Sequence, residues 1–295
     1  NNIISDTKSD ITRFSKLCDL IIAEKKICVG EHGVVMAGFR DYMIDKYLQK
    51  MQESGYTILV YKQDEQVKKT TRSLAGIFSP GTSFFDESQD EKLSNNMTCV
   101  WIRKNNNSIL MKNSLNIGIC NIDIFTGKTN VFEFETENYK NPCSFDELEQ
   151  FISIYNPSEC ILIYNIDTIT IDTIIQYVGL NSKKIHKISL YYENEGEMKQ
   201  MQKNNENFSK GLKCENQVYQ NEILKKYYNN INVDIIKESL HYHTLCLQSL
   251  CYLLEFIHEH NPSLVDVLSL PIFDNQNKRC ILANHTYILI INYII

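Results

Sequence analysis

Apolar residues recur along this chain every three or four positions, then every second position, then every three or four again. Those switches of period mark out the elements. Ile11, Phe14, Leu17, Cys18 and Ile21 line one face of a predicted helix over residues 11–25. Two short apolar runs follow, at 27–29 and 34–37, parted by the turn-forming Gly30 and Gly33. Ile44, Tyr47, Leu48 and Met51 share one face of a second helix, with Asp41 as its predicted N-cap and Gly55 as its stop. Residues 56–61 and 74–78 are β-rich, the second run closed by Ser79-Pro80-Gly81.

Beyond a polar stretch at 86–96 the period becomes two. Strands are predicted at 97–103, 115–125 and 129–135. In the middle one, Ile117, Ile119, Asn121, Asp123 and Phe125 alternate with Gly118, Cys120, Ile122 and Ile124. That gives one apolar and one mixed face, the pattern of a half-buried sheet. Thr126-Gly127 predicts a two-residue hairpin turn. Ser144 and Glu147 form a capping box ahead of a helix lined by Phe145, Leu148, Ile152 and Tyr155, ended by Pro157. Residues 160–164 are continuously apolar, as in a strand covered on both sides. Residues 193–216 are polar and aperiodic and predict a linker. From Val218 the pattern is helical, most clearly at 241–260, where Cys246, Leu250, Leu253, Leu254 and Ile257 share a face and Asn261-Pro262 forms the stop.

The fold class is therefore α/β, in three segments: a mixed α/β domain over 1–95, a second α/β domain over 96–205, and the beginning of an all-α segment over 206–295. One long helix and a few short runs bury too little to stand alone, so the last segment is expected to be incomplete.

Composition narrows the class without naming a partner. A hydrophobic fraction of 43% and a charged fraction of 22% suit a globular protein. The net charge of -6 lacks the basic excess that nucleic-acid binding usually brings, and residues 1–95 are nearly neutral. The ten cysteines are scattered without a CxxC pair, which predicts reduced, buried thiols in an intracellular protein rather than disulfides or a zinc site. No signal peptide is visible, and Asn1 in place of Met predicts a natural start further upstream. The apolar run at 287–295 is far short of the roughly 20 residues that cross a bilayer.

Few residues carry candidate chemistry. Gly127-Lys128-Thr129 ends like a phosphate-binding loop, but the glycine required five positions before Gly127 is Ile122, and a hairpin turn explains the same residues. The pairs His241/His243 and His258/His260 are two apart on a helix, so the members of each point away from one another and do not chelate a metal. Lys68, Lys69 and Arg72 form a basic cluster in a loop between two strands, and Arg40 lies just before a helix start where free N–H groups can face a phosphate. No nucleophile–base or paired-carboxylate arrangement stands out.

One ordered set of motifs is more specific. Met36-Ala37-Gly38-Phe39 is followed by Asp45-Lys46-Tyr47-Leu48, Gly55-Tyr56, Val60-Tyr61-Lys62-Gln63 and Ser79-Pro80-Gly81-Thr82. This series resembles the mismatch-recognition domain of the MutS family of DNA mismatch repair proteins, with Gln63-Asp64 at that family's Q-x-E/D place and Ser79 in place of a threonine. Residues 118–131, with Asp123, Thr126, Gly127 and Val131 in register, resemble the opening of the family's RNase-H-like connector domain. Residues 145–163, including Asn156-Pro157-Ser158-Glu159, are similar to its helix and next strand. Residues 245–257 and 280–287 resemble the start of the family's helical core and lever. The wording is closest to the branch found in large DNA viruses and octocoral mitochondria.

The resemblance implies binding of mismatched double-stranded DNA, with Arg40, Tyr42, Lys68, Lys69 and Arg72 as nucleic-acid contacts. It also implies a homodimer at full length, an intracellular location and no membrane. ATP and Mg belong to the full-length family's ATPase; this chain carries no Walker motif, so no cofactor and no activity of its own are expected. The family's mismatch-reading Phe-x-Glu is expected to precede residue 1. Phe132-Glu133-Phe134-Glu135 matches it only by letters, because it falls in a predicted strand of the connector. The other reading left open is a free-standing regulatory or protein-interaction module built on the connector, without mismatch recognition.

Overall fold

The computed structural model describes residues 10–29, 32–63, 72–82, 94–105, 114–136, 138–180, 184–228 and 233–274. The chain divides into two compact units, one of residues 1–93 with 259–261, the other of 94–258 with the chain from Pro262.

In the first unit, helix α1 (Ile11–Cys18) is shorter than its apolar spacing predicts. Asp19 turns left-handed (φ 53°) and stops it, Leu20 N–H donates to Ser15 O, and Ile21 stands 89% exposed. Strand β1 (Ala23–Val29) then pairs antiparallel with β2 (His32–Met36). Asp41 does not cap the following helix: it lies within a 3-10 turn, Asp41–Met43, and helix α2 (Ile44–Glu53) starts after Met43 with no side-chain cap. The stop at Gly55 forms as predicted. Its φ of +84° lets Gly55 N–H reach Gln52 O and Tyr56 N–H reach Met51 O, a Schellman closure that a Cβ would strain. Strands β3 (Ile58–Gln63) and β4 (Arg72–Phe78) form a separate antiparallel hairpin with an irregularity between Val60 and Tyr61.

The second unit is built on a six-stranded sheet. Strands β5 (Asn96–Lys104), β6 (Leu115–Asp123) and β7 (Thr129–Thr136) form an antiparallel meander. On the other side of β5, β8 (Glu159–Tyr164) and β9 (Lys184–Ser189) add in parallel. In order of appearance this is 3-2-1-4-5, the RNase-H-like arrangement, extended beyond β7 by β10 (Ile272–Phe273). The sheet is covered on both faces. Val100, Ile102, Ile117, Ile119 and Phe132 pack against helices α3 (Asp146–Tyr155) and α4 (Thr168–Tyr177). Met97, Cys99, Trp101, Cys120 and Ile122 pack on the opposite face, against residues of α6 (Glu206–Cys214), α7 (Gln217–Tyr227), α8 (Val233–Ser239) and α9 (Thr244–His260).

That two-sided covering changes three expectations. β6 is a buried central strand rather than a half-buried one, since the mixed alternate positions face helices instead of water. Residues 193–216 are not a linker: α5 (Glu195–Asn204) and α6 occupy them, and Asn194, Asn205 and Asn216 each cap the helix that follows with the side-chain oxygen. The helices from residue 206 onward do not bury a face of their own alone, because they share one core with the sheet. α9 is buried nearly all round, which suits a helix in the middle of a core rather than at a surface.

The turn glycine Gly127 and the strand glycine Gly118 have tertiary duties as well. The β6–β7 connection is a five-residue loop, 124–128, longer than predicted. Asp123 N–H donates to Lys128 O, the Asp123 carboxylate accepts from Asn95 N–H, Phe125 N–H and Thr126 Oγ1, and Gly127 is left-handed (φ +70°). A Cβ on Gly127 would meet Val267 O at 2.3 Å, and one on Gly118 would meet the Leu245 backbone carbonyl carbon of α9 at 2.4 Å. The start of α3 is also displaced from the predicted box: a 3-10 turn, Pro142–Phe145, comes first, and Asn141 Oδ1 accepts from Cys143 N–H.

Candidate nucleic-acid interface

The residues that make up the ordered motif series of the first unit turn out to hold that unit together. Phe39 lies against Tyr47 (ring centroids 4.5 Å) and Phe14 (6.3 Å), which ties α1, the chain before α2 and α2 itself. Leu48 of α2 is buried as well. Tyr56, just past the Schellman turn, lies under the Arg13 guanidinium at 5.0 Å. Ser79-Pro80-Gly81-Thr82 folds on itself: Ser79 N–H donates to Thr82 Oγ1 (3.0 Å), Thr82 N–H donates to Ser79 O (3.1 Å), and the two hydroxyls lie 3.1 Å apart. Gln52 of α2 anchors the turn by donating from Nε2 to Ser79 O at 2.7 Å. A serine hydroxyl meets these bonds as a threonine would.

The candidate contact residues sit on the rim of this scaffold. Arg40 follows Phe39 directly, in extended backbone, and its carbonyl accepts from Met43 N–H to start the 3-10 turn. It is therefore one turn ahead of α2 rather than at its first N–H groups. Tyr42, within the turn, is 73% exposed. Arg72 opens β4 opposite Gln63, at the far end of the hairpin from Phe78. Lys68 and Lys69 lie outside the described residues. Among the described residues, no side-chain hydrogen bond or ion pair engages Arg40, Tyr42 or Arg72. Two other cations near α2 are engaged: Lys50 pairs with Asp19, and Arg13 lies over Tyr56.

The lookalike motifs take structural places. Phe132 is 8% exposed and stacks with Phe134 and Phe151. Glu133 accepts from Cys246 N–H at the start of α9, so neither residue is offered to a duplex. Burial raises the Glu133 carboxyl above the usual carboxylate range, and the Cys246 N–H and nearby His243 offset part of that. Gly127-Lys128-Thr129 runs from the hairpin loop into the buried start of β7. Burial likewise raises the thiols of Cys99, Cys120, Cys214, Cys246 and Cys251. No group of three potential metal ligands occurs among the described residues, and no helix among them is long and apolar enough to cross a membrane.

A mixed α/β unit followed by a two-sided RNase-H-like sheet is the architecture to be placed among known proteins. Residues 8–87 match the family model described as MutS domain I. A protein of Acanthamoeba polyphaga mimivirus, described as a mutS homolog of DNA mismatch repair, is 28% identical over 84% of this chain and 22% of its own length. DNA mismatch repair proteins MutS from Caldanaerobacter subterraneus subsp. tengcongensis and Methanosarcina barkeri are 32% and 30% identical over 44% and 43% of the chain. Residues 8–87 thus carry a MutS domain I, and most of the chain is similar to MutS-type mismatch repair proteins. The chain spans 22% of the viral relative's length and 14% of each of these two others.

Proposed function

We propose that this chain is the mismatch-recognition and connector portion of a MutS-type DNA mismatch repair protein, and that its first unit binds mismatched double-stranded DNA. The observation that carries this reading is the MutS domain I match over residues 8–87, which covers the interlocked motif series and the candidate contacts. Arg40 and Arg72 donate to phosphates, joined by Lys68 and Lys69, while Tyr42 lies against the sugar–phosphate edge. These contacts position the duplex without reading its bases. In the whole protein, ATP and Mg drive clamp motion in a domain outside this sequence, the working unit is a homodimer, and the location is intracellular.

The test is fluorescence anisotropy of the 295-residue chain with a mismatched and a matched duplex across a salt series. Binding is expected to be weak and to discriminate little. Each phosphate contact contributes a slope of about -0.9 to log affinity against log salt, so Arg40→Ala with Arg72→Ala lowers the slope by about 2. An unchanged slope in the folded double variant removes these two residues from the interface. Strong preference for the mismatch would show that a Phe-x-Glu wedge is not needed.

A further inference from the structure

The second unit holds a cleft that the reading above does not use. It opens at the carboxyl ends of β5 and β8, where the chain order of the sheet reverses: from β5 the meander runs one way to β6 and β7, and the parallel strands run the other way to β8 and β9. Open α/β sheets place ligands at such a switch point, where the connecting segments diverge and leave a crevice. The cleft measures about 320 Å³, at the small end of ligand sites. Asn165 fastens its floor, with Oδ1 accepting from Lys104 N–H at 3.0 Å and its own N–H donating to Ile102 O.

Its lining is polar, and its donors are incompletely used. Arg103 Nη2 donates to Glu215 and, at 3.1 Å, to Gln248 Oε1. Gln248, on α9, is 4% exposed. Among the described residues, Gln248 Nε2, Asn165 Nδ2 and the remaining N–H groups of Arg103 have no partner. Leu190 and Leu212 supply apolar wall, and Tyr192, edge-on to Phe208, adds an aromatic ring. The one cation and the one carboxylate of the lining neutralise each other, so a free anion gains little here. A planar, uncharged group with acceptors on one edge and N–H donors beside them fits better, between an aromatic ring and aliphatic wall. Guanine has that edge: O6 and N7 accept from an arginine fork, and its ring N–H and amino group donate to a carboxylate.

We infer that this cleft, bounded by Arg103, Glu215, Gln248, Asn165 and Tyr192, binds a guanine base. The base is held by Arg103 on O6/N7, by Glu215 on the N–H edge and by Tyr192 against the ring. Adenine offers a donor where O6 accepts, so Arg103 has no second acceptor for it. The inference does not depend on duplex binding by the first unit.

Titration of the 295-residue chain with GMP, AMP and CMP tests it, read by calorimetry and by the fluorescence of Trp101. That sole tryptophan lies two residues before Arg103 on the same face of β5. GMP is expected to bind saturably and about tenfold or more tighter than AMP or CMP. Arg103→Lys keeps the charge but loses the fork, and is expected to weaken GMP about tenfold. Tyr192→Ala, which leaves the ion pair whole, is expected to weaken it by a similar factor. A single-stranded oligonucleotide with one guanine among thymines identifies the source. Affinity about tenfold above GMP, lost in Arg103→Lys, assigns a base within a strand; affinity equal to GMP assigns the free nucleotide. Equal binding of GMP, AMP and CMP, or unchanged GMP binding in both variants with wild-type circular dichroism and Tm, overturns the inference.

Discussion

The two units solve the same problem of burial in opposite ways. In the second, all six residues of β8 are buried, α9 is enclosed nearly all round, and each face of the sheet carries its own helical layer. In the first, Cys18 and Leu48 are the buried hydrophobic side chains among the described residues, and the β3–β4 hairpin leaves Leu59, Tyr61 and Leu74 about half exposed. The first unit is held by specific pieces instead: the Phe14–Phe39–Tyr47 rings, the Schellman turn at Gly55, and the self-bonded Ser79–Thr82 turn anchored by Gln52. A sheet covered on both sides draws its stability from area, whereas a thin layer depends on a few contacts whose residue types are tightly prescribed. This accounts physically for the dense motif series in the first unit.

The contrast can be broken by substitution, taking the largest effect first. Leu250→Ala empties the middle of an enclosed helix and is expected to cost about 3–5 kcal/mol, whereas Leu48→Ala, in surroundings free to close in, falls near about 2 kcal/mol. Urea unfolding followed by Trp101 fluorescence reads the first, and amide exchange over residues 44–53 reads the second. Equal costs would mean that the first unit is packed as rigidly as the second. Gly118→Ala drives a methyl into the α9 backbone and is expected to lower stability by about 3 kcal/mol. Gly127→Ala combines a strained left-handed backbone with a clash on Val267 O, at about 2 kcal/mol by thermal unfolding.

The smallest effect is one of pH. Burial raises the Glu133 carboxyl, so the folded state keeps its proton to a higher pH than the unfolded chain does. In the window between the ordinary glutamate value and the raised one, the folded state binds more protons, and this group's contribution therefore falls as pH rises. Glu133→Gln is expected to flatten that slope while still accepting from Cys246 N–H. A denaturation series across mildly acidic pH measures it, and an unchanged slope would assign the titration elsewhere.

Much of this was legible in the sequence because periodicity reports which face is buried. The strands at 97–103 and 129–135, the buried run at 160–164 and the helix over 241–260 all come from it, and the ordered motifs pointed to the MutS family. Polar segments were harder to read. Residues 195–214 are helical because asparagines at 194 and 205 start them and because Phe208 and Cys214 find the sheet, a contact that no local pattern reveals. The same limit applied to the sites. Arg40, Tyr42 and Arg72 could be chosen as surface residues, but Arg103, Asn165, Glu215 and Gln248 are far apart in sequence and meet only where the ends of β5 and β8 come together with α6 and α9.

The sequence by itself determined the likeness to MutS proteins, the α/β class, and the glycines that turn the chain at Gly55 and Gly127, since these rest on local conformation and on residue order. Only the tertiary structure decided that the helices after residue 206 complete the sheet's core, that Gly118 marks the crossing of α9, and that a polar cleft opens at the switch point. Each of these depends on distances between segments a hundred or more residues apart along the chain, and such distances are fixed by packing rather than by local propensity.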